Sequence, residues 1–317
     1  MKQKSNLAVP DDGLSLIGID GSNSLGFLAA LGTLRLLTHA WPDRVPRMSW
    51  ESAHIWLPRV HIDRGLRPTA ADLLETIEDR LIKTFDQHPV SFLDHLDLEN
   101  GQSFHHWLAD HADQSSQTSH ATTDWLAALA SDAISTDAIN PLQTVRRDYF
   151  LGNLKSVIET TRRSHLNRCL FAPWDYADAL DNQSLHLDPS EDRRHALQWN
   201  KPSGDPDRKK SGGMLGANRL AIEAIPLFVS FREGAVRRTV GFSGNRSTDT
   251  RWTWPIWDAS LDLSSVVTLL TLQDLQAPTI SPRLRHDLRQ RGIAAVFRSD
   301  RILVQKTPNF SPSRCIA

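Results

Sequence analysis

The stretch Asp192–Arg219, DRRHALQWNKPSGDPDRKKSGGMLGANR, gathers the residue types that hold a polyanion. Arg193, Arg194, Lys201, Arg208, Lys209, Lys210 and Arg219 are opposed only by Asp192, Asp205 and Asp207. Trp199 stands among them, beside Asn200, and Gly, Pro and Ser fill the middle. Such a segment cannot pack as a core element, because its backbone and long cations need water or a polyanion. Cations, glycine-freed N–H groups and an aromatic plate together suit a phosphate backbone and an unstacked base. The plainer reading is a solvated loop. For Trp199, with Leu197, the plainer reading is a plug that seats the base of the loop in the core.

A second basic constellation precedes it. Arg146, Arg147, Lys155, Arg162, Arg163 and Arg168 lie in a segment whose Val145, Phe150, Leu154, Val157 and Ile158 supply an apolar face. A basic amphipathic helix often only solvates itself, but beside another basic segment it becomes a candidate nucleic-acid surface. Gly21-Ser-Asn-Ser-Leu25 and Gly216-Ala-Asn-Arg-Leu220 both fit G-x-N-x-L at expected helix starts. A glycine-led helix N-terminus can offer free N–H groups to a phosphate. Asn218 and Arg219 thereby join the candidate site, although an ordinary Asn-capped buried helix explains the same pattern.

Other clusters carry less chemistry. His105, His106, Asp110, His111 and Asp113 fall in SFHHWLADHAD, where His106, Asp110 and Asp113 share one helical face. That face can hold a metal, but a phosphohydrolase of the His-Asp type needs further ligands. A further adjacent pair, His286-Asp287, lies in an arginine-rich segment. Asp175, Asp178 and Asp181 recur in WDYADALDN, where they bind Mg²⁺, cap a short helix or pair with nearby arginines. GIDGSNSLG and SGGMLG lack the spacing of a phosphate loop, and no Gly-x-Ser-x-Gly elbow occurs. No catalytic residue, metal or cofactor is therefore assigned.

The elements that must position these residues read as α+β, helix-dominant, with short strands. Leu14–Ile19 predicts a strand. Asn23 or Ser24 caps a helix to about Ala40, apolar on nearly every side and closed by Pro42. Ile55–Ile62 predicts a strand, and Thr69 caps a helix over Ala70–Phe85. Asp113–Thr123 reads as a loop, Leu142–Leu170 as one long helix, and Phe171–Leu185 as a turn with a short helix. Asn218 caps a helix to about Ala224, ended by Pro226, and LFVSF and RRTVGF predict strands. Ser260–Leu275 is amphipathic, and Ser281–Arg291 is a basic helix. In RWTWPIWD, Trp252 and Trp254 point the same way and favour the core or an interface. Ile293–Phe297 and Arg301–Gln305, flanking Arg298-Ser299-Asp300, predict a C-terminal β-hairpin.

The formal charge of −1 over 317 residues conceals an asymmetry. Residues 68–140 hold thirteen Asp or Glu against Arg80 and Lys83. Residues 193–251 hold twelve Arg or Lys against five acids, and residues 276–317 hold eight against two. This divides the chain into a region 1–140 with an acidic helical lobe and a basic region 141–317 carrying a flexible loop at 200–215. The acidic lobe suits protein partners and the basic side suits phosphates. Cys169 and Cys315 are the only cysteines, which excludes a disulfide framework and fits a reducing compartment. No apolar run is long enough to span a bilayer and no signal-peptide core follows Met1, so a soluble, cytoplasmic protein is expected.

GIDGSNSLGFLAALGTLRLL, FAPWDYADALDNQSL, DRRHALQWNKPSGDP, GANRLAIEAIPLF and TWPIWD, spread over residues 16–258, resemble CRISPR-associated proteins of type I-G (formerly I-U) systems. The resemblance is to a large-subunit-like or helicase-nuclease-accessory family. It implies a non-catalytic subunit of an RNA-guided surveillance (Cascade) complex in antiviral defence. Such a subunit contacts guide RNA and target DNA near the protospacer-adjacent motif, while guide pairing reads most of the sequence. The implied partners are guide RNA, target DNA, other effector subunits and the helicase-nuclease, with no membrane. An adaptor that docks the helicase-nuclease without touching DNA fits the same resemblance. A metal-dependent nuclease built on His105–Asp113 is a third reading.

Overall fold

Helix α1 (Ser24–Ala40) shows how this sequence makes its centre. Asn23 sits in extended conformation and its Oδ1 accepts from the backbone N–H groups of Leu25 and Gly26, at 2.8 and 3.1 Å, which starts the helix where the sequence places it. Every residue from Ser24 to Leu37 is buried, as an all-round apolar helix requires. Its closest neighbour is α6 (Leu215–Ala224). Gly32 allows that approach, since a Cβ there would lie 1.8 Å from the Leu220 carbonyl oxygen.

The computed structural model describes residues 13–62, 68–83, 120–129, 140–144, 147–179, 183–189, 212–234, 236–244, 249–304 and 307–317. The architecture is α+β with more helix than strand. Strands β1 (Leu14–Ser15), β2 (Arg47–Ser52), β3 (Trp56–His61) and β8 (Leu261–Asp262) form an antiparallel sheet in the order β1-β3-β2-β8. A second sheet has the order β10-β9-β7-β6, from β6 (Phe242–Ser243), β7 (Arg251–Trp257), β9 (Ile293–Val304) and β10 (Thr307–Phe310). Strand β11 (Arg314–Cys315) also pairs with β9. Strands β4 (Ser230–Glu233) and β5 (Val236–Thr239) form a separate hairpin. The remaining described helices are α2 (Ala70–Glu78), α3 (His120–Leu129), α4 (Arg147–Thr160), α5 (Arg163–Phe171), α7 (Leu263–Leu270) and α8 (Pro282–Gln290).

The tryptophans of β7 join the two sheets beneath α1. Phe27 stacks on Trp50 and Trp254 at centroid distances of 5.9 and 5.8 Å, and Trp257 meets Trp50 edge-on at 5.8 Å. The indole N–H of Trp254 donates to Gly21 O and that of Trp257 to Met48 O. Trp252 and Trp254 are therefore core, as their spacing suggests. Pro255 is tolerated in β7 for a specific reason. It lies opposite Val296, whose N–H and C=O bond to the C-terminal residues Ala317 and Ile316 and not to β7. On the far side of β7 the two-residue β6 has already ended. One hydrophobic core runs from Leu16 to Phe310 among the described residues.

Several expected boundaries shift. β1 is only two residues long. β2 joins the sheet unannounced by its weakly alternating RMSWES. The helix capped by Thr69 in a capping box with Asp72 passes into a π-helical turn at Asp79–Lys83. The single helix expected over Leu142–Leu170 is two, α4 and α5. At the break the hydroxyls of Thr160 and Thr161 donate back to the carbonyls of Ser156 and Val157, and Arg162 turns extended. Described residues 172–179 form no helix. The C-terminal hairpin exists, but β9 runs straight through Arg298-Ser299-Asp300 to Val304, which pairs with Thr307 of β10. Arg298 is 2% exposed. Its guanidinium donates to Thr253 Oγ1 and to the carbonyls of Leu275, Ala277 and Pro278 at 2.7–3.1 Å. Burial, then repulsion from Arg251 and Arg314, pulls its pKa below the ordinary guanidinium value. Among the described residues no helix is long and apolar enough to cross a membrane.

Candidate nucleic-acid interface

Of the basic stretch singled out in the sequence, residues 212–219 are described, and residues 183–189 are described just before it. Arg193, Arg194, Trp199, Asn200, Lys201, Arg208, Lys209 and Lys210 lie outside the described residues, as does Arg146. The His105–Asp113 cluster lies outside them too. What precedes and follows the stretch is fixed by the core. Leu187 O accepts from Ser24 Oγ, Ser184 O from Asn153 Nδ2 and Leu185 O from Thr144 Oγ1. Tyr176 ties both ends together. Its phenol donates to Asp188 Oδ2 at 2.9 Å, its carbonyl accepts from Gly212 N–H at 2.9 Å, and its backbone is left-handed at φ +50°. Gly212 leaves no room for a side chain, because a Cβ would lie 2.1 Å from Asp178 O.

Asp178 then closes the start of α6. Its backbone exchanges both hydrogen bonds with Gly213, and its Oδ2 accepts from Leu215 N–H at 2.8 Å. Asp178 is 9% exposed and also ion-pairs with Arg168. Arg168 lies 3.2 Å from Asp175 as well, an ion pair without hydrogen-bond alignment. The hydrogen bond to Asp178 raises the Arg168 pKa. The helix N-terminus offered by sequence as a phosphate site is thus already closed by the chain's own carboxylate. Asp175 and Asp178 pair with an arginine, one of the alternatives their sequence leaves open.

Asn218 and Arg219 are corrections. The G-x-N-x-L motif at 216–220 lies inside α6, which starts at Leu215, so Asn218 is not a cap. Both side chains are fully buried. Asn218 Oδ1 accepts from Leu185 N–H, and its Nδ2 donates to Met214 O. Arg219 Nη1 donates to Glu223 Oε1 at 2.7 Å, while its Nε and Nη2 have no hydrogen-bond partner among the described residues. Arg35 from α1 bridges Glu223 at 3.4 Å and Asp124 of α3 at 3.3 Å. Neither Asn218 nor Arg219 can reach a nucleic acid. The nearly unbroken apolar run around them, with the Arg219–Glu223 spacing of one helical turn, is the signal that marks a buried helix.

Of the other candidates, Arg147 begins α4, with its side chain outside the described set. Arg162 is exposed but its Nη1 donates to the carbonyls of Glu159 and Thr161. Arg163 is ion-paired with Glu78.

The exposed cationic surface that remains is α8, read in sequence as basic but not as a site. Ser281 caps it, and Leu284 and Leu288 turn inward. Arg283, Arg285 and Arg289 are exposed on the opposite arc, with His286 between them. Arg285 donates only to the Ile316 carbonyl. Arg283 and Arg289 form no ion pair or hydrogen bond among the described residues. Arg291, at the helix end, is held by Asp274 at 2.8 Å. Among the described residues no group of three or more His, Cys, Asp or Glu is placed to hold a metal. No family model matches this chain, and no curated protein matches it at a significant level.

Proposed function

We propose that this chain is a non-catalytic nucleic-acid-binding subunit of a type I-G CRISPR surveillance complex, large-subunit-like and acting in the cytoplasm. It would contact guide RNA or target DNA near the protospacer-adjacent motif. The five sequence blocks that resemble that family support the identity. The observation that carries nucleic-acid binding is the solvent face of α8, where three arginines stand without a carboxylate partner among the described residues. Arg283 and Arg289, with no partner among the described residues, keep the full donor fork for a phosphate, and Arg285 spends one donor on the Ile316 carbonyl. The cations counted in residues 193–210, between the core-anchored Asp188 and Gly212, add a second cationic region.

The test is binding of the purified chain to a labelled duplex across a salt series. Arg283→Ala with Arg285→Ala and Arg289→Ala should weaken binding and reduce the log–log salt slope by about 0.9 for each phosphate left unneutralised. Unchanged affinity and slope in this variant would remove α8 from the interface. A wild-type chain without salt-dependent binding would leave the adaptor that docks the helicase-nuclease as the better reading.

A further inference from the structure

A cleft of about 380 Å³ opens between the β4–β5 hairpin and the turn that follows α7. That volume suits one small ligand. Three of its walls carry unusual groups. Phe231 is 49% exposed, whereas the aromatic rings of the core are buried. Arg238 stands directly across the hairpin from Phe231, so both side chains share one face. Its Nε is held by Glu233 Oε2 at 2.8 Å, in an exposed pair that competes weakly with another anion.

The third group is Gln276. Its Nε2 and Oε1 are shut off from water, and among the described residues neither has a hydrogen-bond partner. A carboxamide left in that state loses the solvation of a donor and an acceptor with nothing in return. The backbone around it is held rigidly. Arg298 clamps the carbonyls of Leu275 and Ala277 on either side, and that of Pro278 beyond. Rotation of the Gln276 side chain is therefore the freedom left for satisfying the amide.

We propose that this cleft takes the base of an unpaired nucleotide: Phe231 stacks on its face, the Gln276 carboxamide turns out to bond its edge, and Arg238 takes the adjoining phosphate. The three groups match the three parts of a nucleotide. A half-exposed ring offers a π-face, an amide pairs a donor with an acceptor as base edges do, and a guanidinium suits a phosphate. The inference deepens the nucleic-acid reading and rests on it.

The experiment uses the full chain with fluorescein-labelled single-stranded dA and dT 12-mers and a 12-base-pair duplex. Phe231→Ala should weaken single-strand binding roughly 5- to 150-fold, the range for one stacked base, and leave duplex affinity and Tm unchanged. Gln276→Leu should weaken single-strand binding roughly 2- to 10-fold while Tm holds or rises, because an unsatisfied amide is removed. A purely structural glutamine would lower Tm and leave affinity alone. Single-strand affinity unchanged in Phe231→Ala, or a drop in Tm alone in Gln276→Leu, overturns the proposal. If the α8 variant loses duplex binding while Phe231→Ala matches wild type, the cleft proposal falls and the nucleic-acid reading stands. A wild-type chain that binds neither probe overturns both.

Discussion

Helices α6 and α8 both carry arginine and use it in opposite ways. In α6, Arg219 is fully buried and anchors Glu223 within a charge network that reaches α1 and α3. In α8, Arg283, Arg285 and Arg289 face solvent over two inward leucines. The cation itself does not decide the outcome. The residues one helical turn away do. Around Arg219 they are apolar or the partnering Glu223, so the whole helix sinks into the core. Around the α8 arginines they are polar on one arc, and only a narrow apolar stripe is buried.

The sharpest way to break this contrast is to remove the shared buried anion. Glu223→Ala strands Arg219 inside the core and leaves Arg35 only Asp124, and should cost about 3–5 kcal/mol, read as the loss of unfolding free energy in urea. Arg219→Leu should cost less, because Glu223 keeps Arg35. If the two variants lost equal stability, the network would not be centred on Glu223. Arg298 offers an intermediate case, a buried arginine that serves carbonyls in place of a carboxylate. Arg298→Met should cost about 1–3 kcal/mol through the buried Leu275 carbonyl left bare. It should also quicken amide exchange over residues 275–278, measured by mass spectrometry. The smallest effect belongs to α8. Its triple alanine variant should stay within roughly 0.5 kcal/mol of wild type per site. A loss as large as that of Glu223→Ala would show that these arginines are structural.

How far the sequence was legible follows from the same physics. Asn23 and Thr69 each cap the helix expected of them, because a cap is a local event that a few residues decide. Alternation and size favoured the core or an interface for the paired tryptophans of β7, and they lie in the core. What failed depended on partners distant in sequence. Arg298-Ser299-Asp300 has the composition of a turn, yet Arg298 crosses to the 275–278 carbonyls and β9 continues. Asn218 has the look of a cap, yet Leu185 takes its side chain. For the candidate site, α8 was visible as a basic helix, but its freedom from partners was not. Absence of a carboxylate neighbour is a property of packing. The Phe231 and Gln276 cleft was missed because its walls come from segments some forty positions apart, with no shared motif.

The tie at Tyr176 has a consequence for how this chain can vary. One residue holds Asp188 by its phenol and Gly212 by its carbonyl, so the sequence between them begins and ends on the same support. A change at Tyr176 is therefore felt on both sides of that sequence at once: Tyr176→Phe removes the phenol's bond to Asp188 and leaves the backbone bond from Gly212 in place.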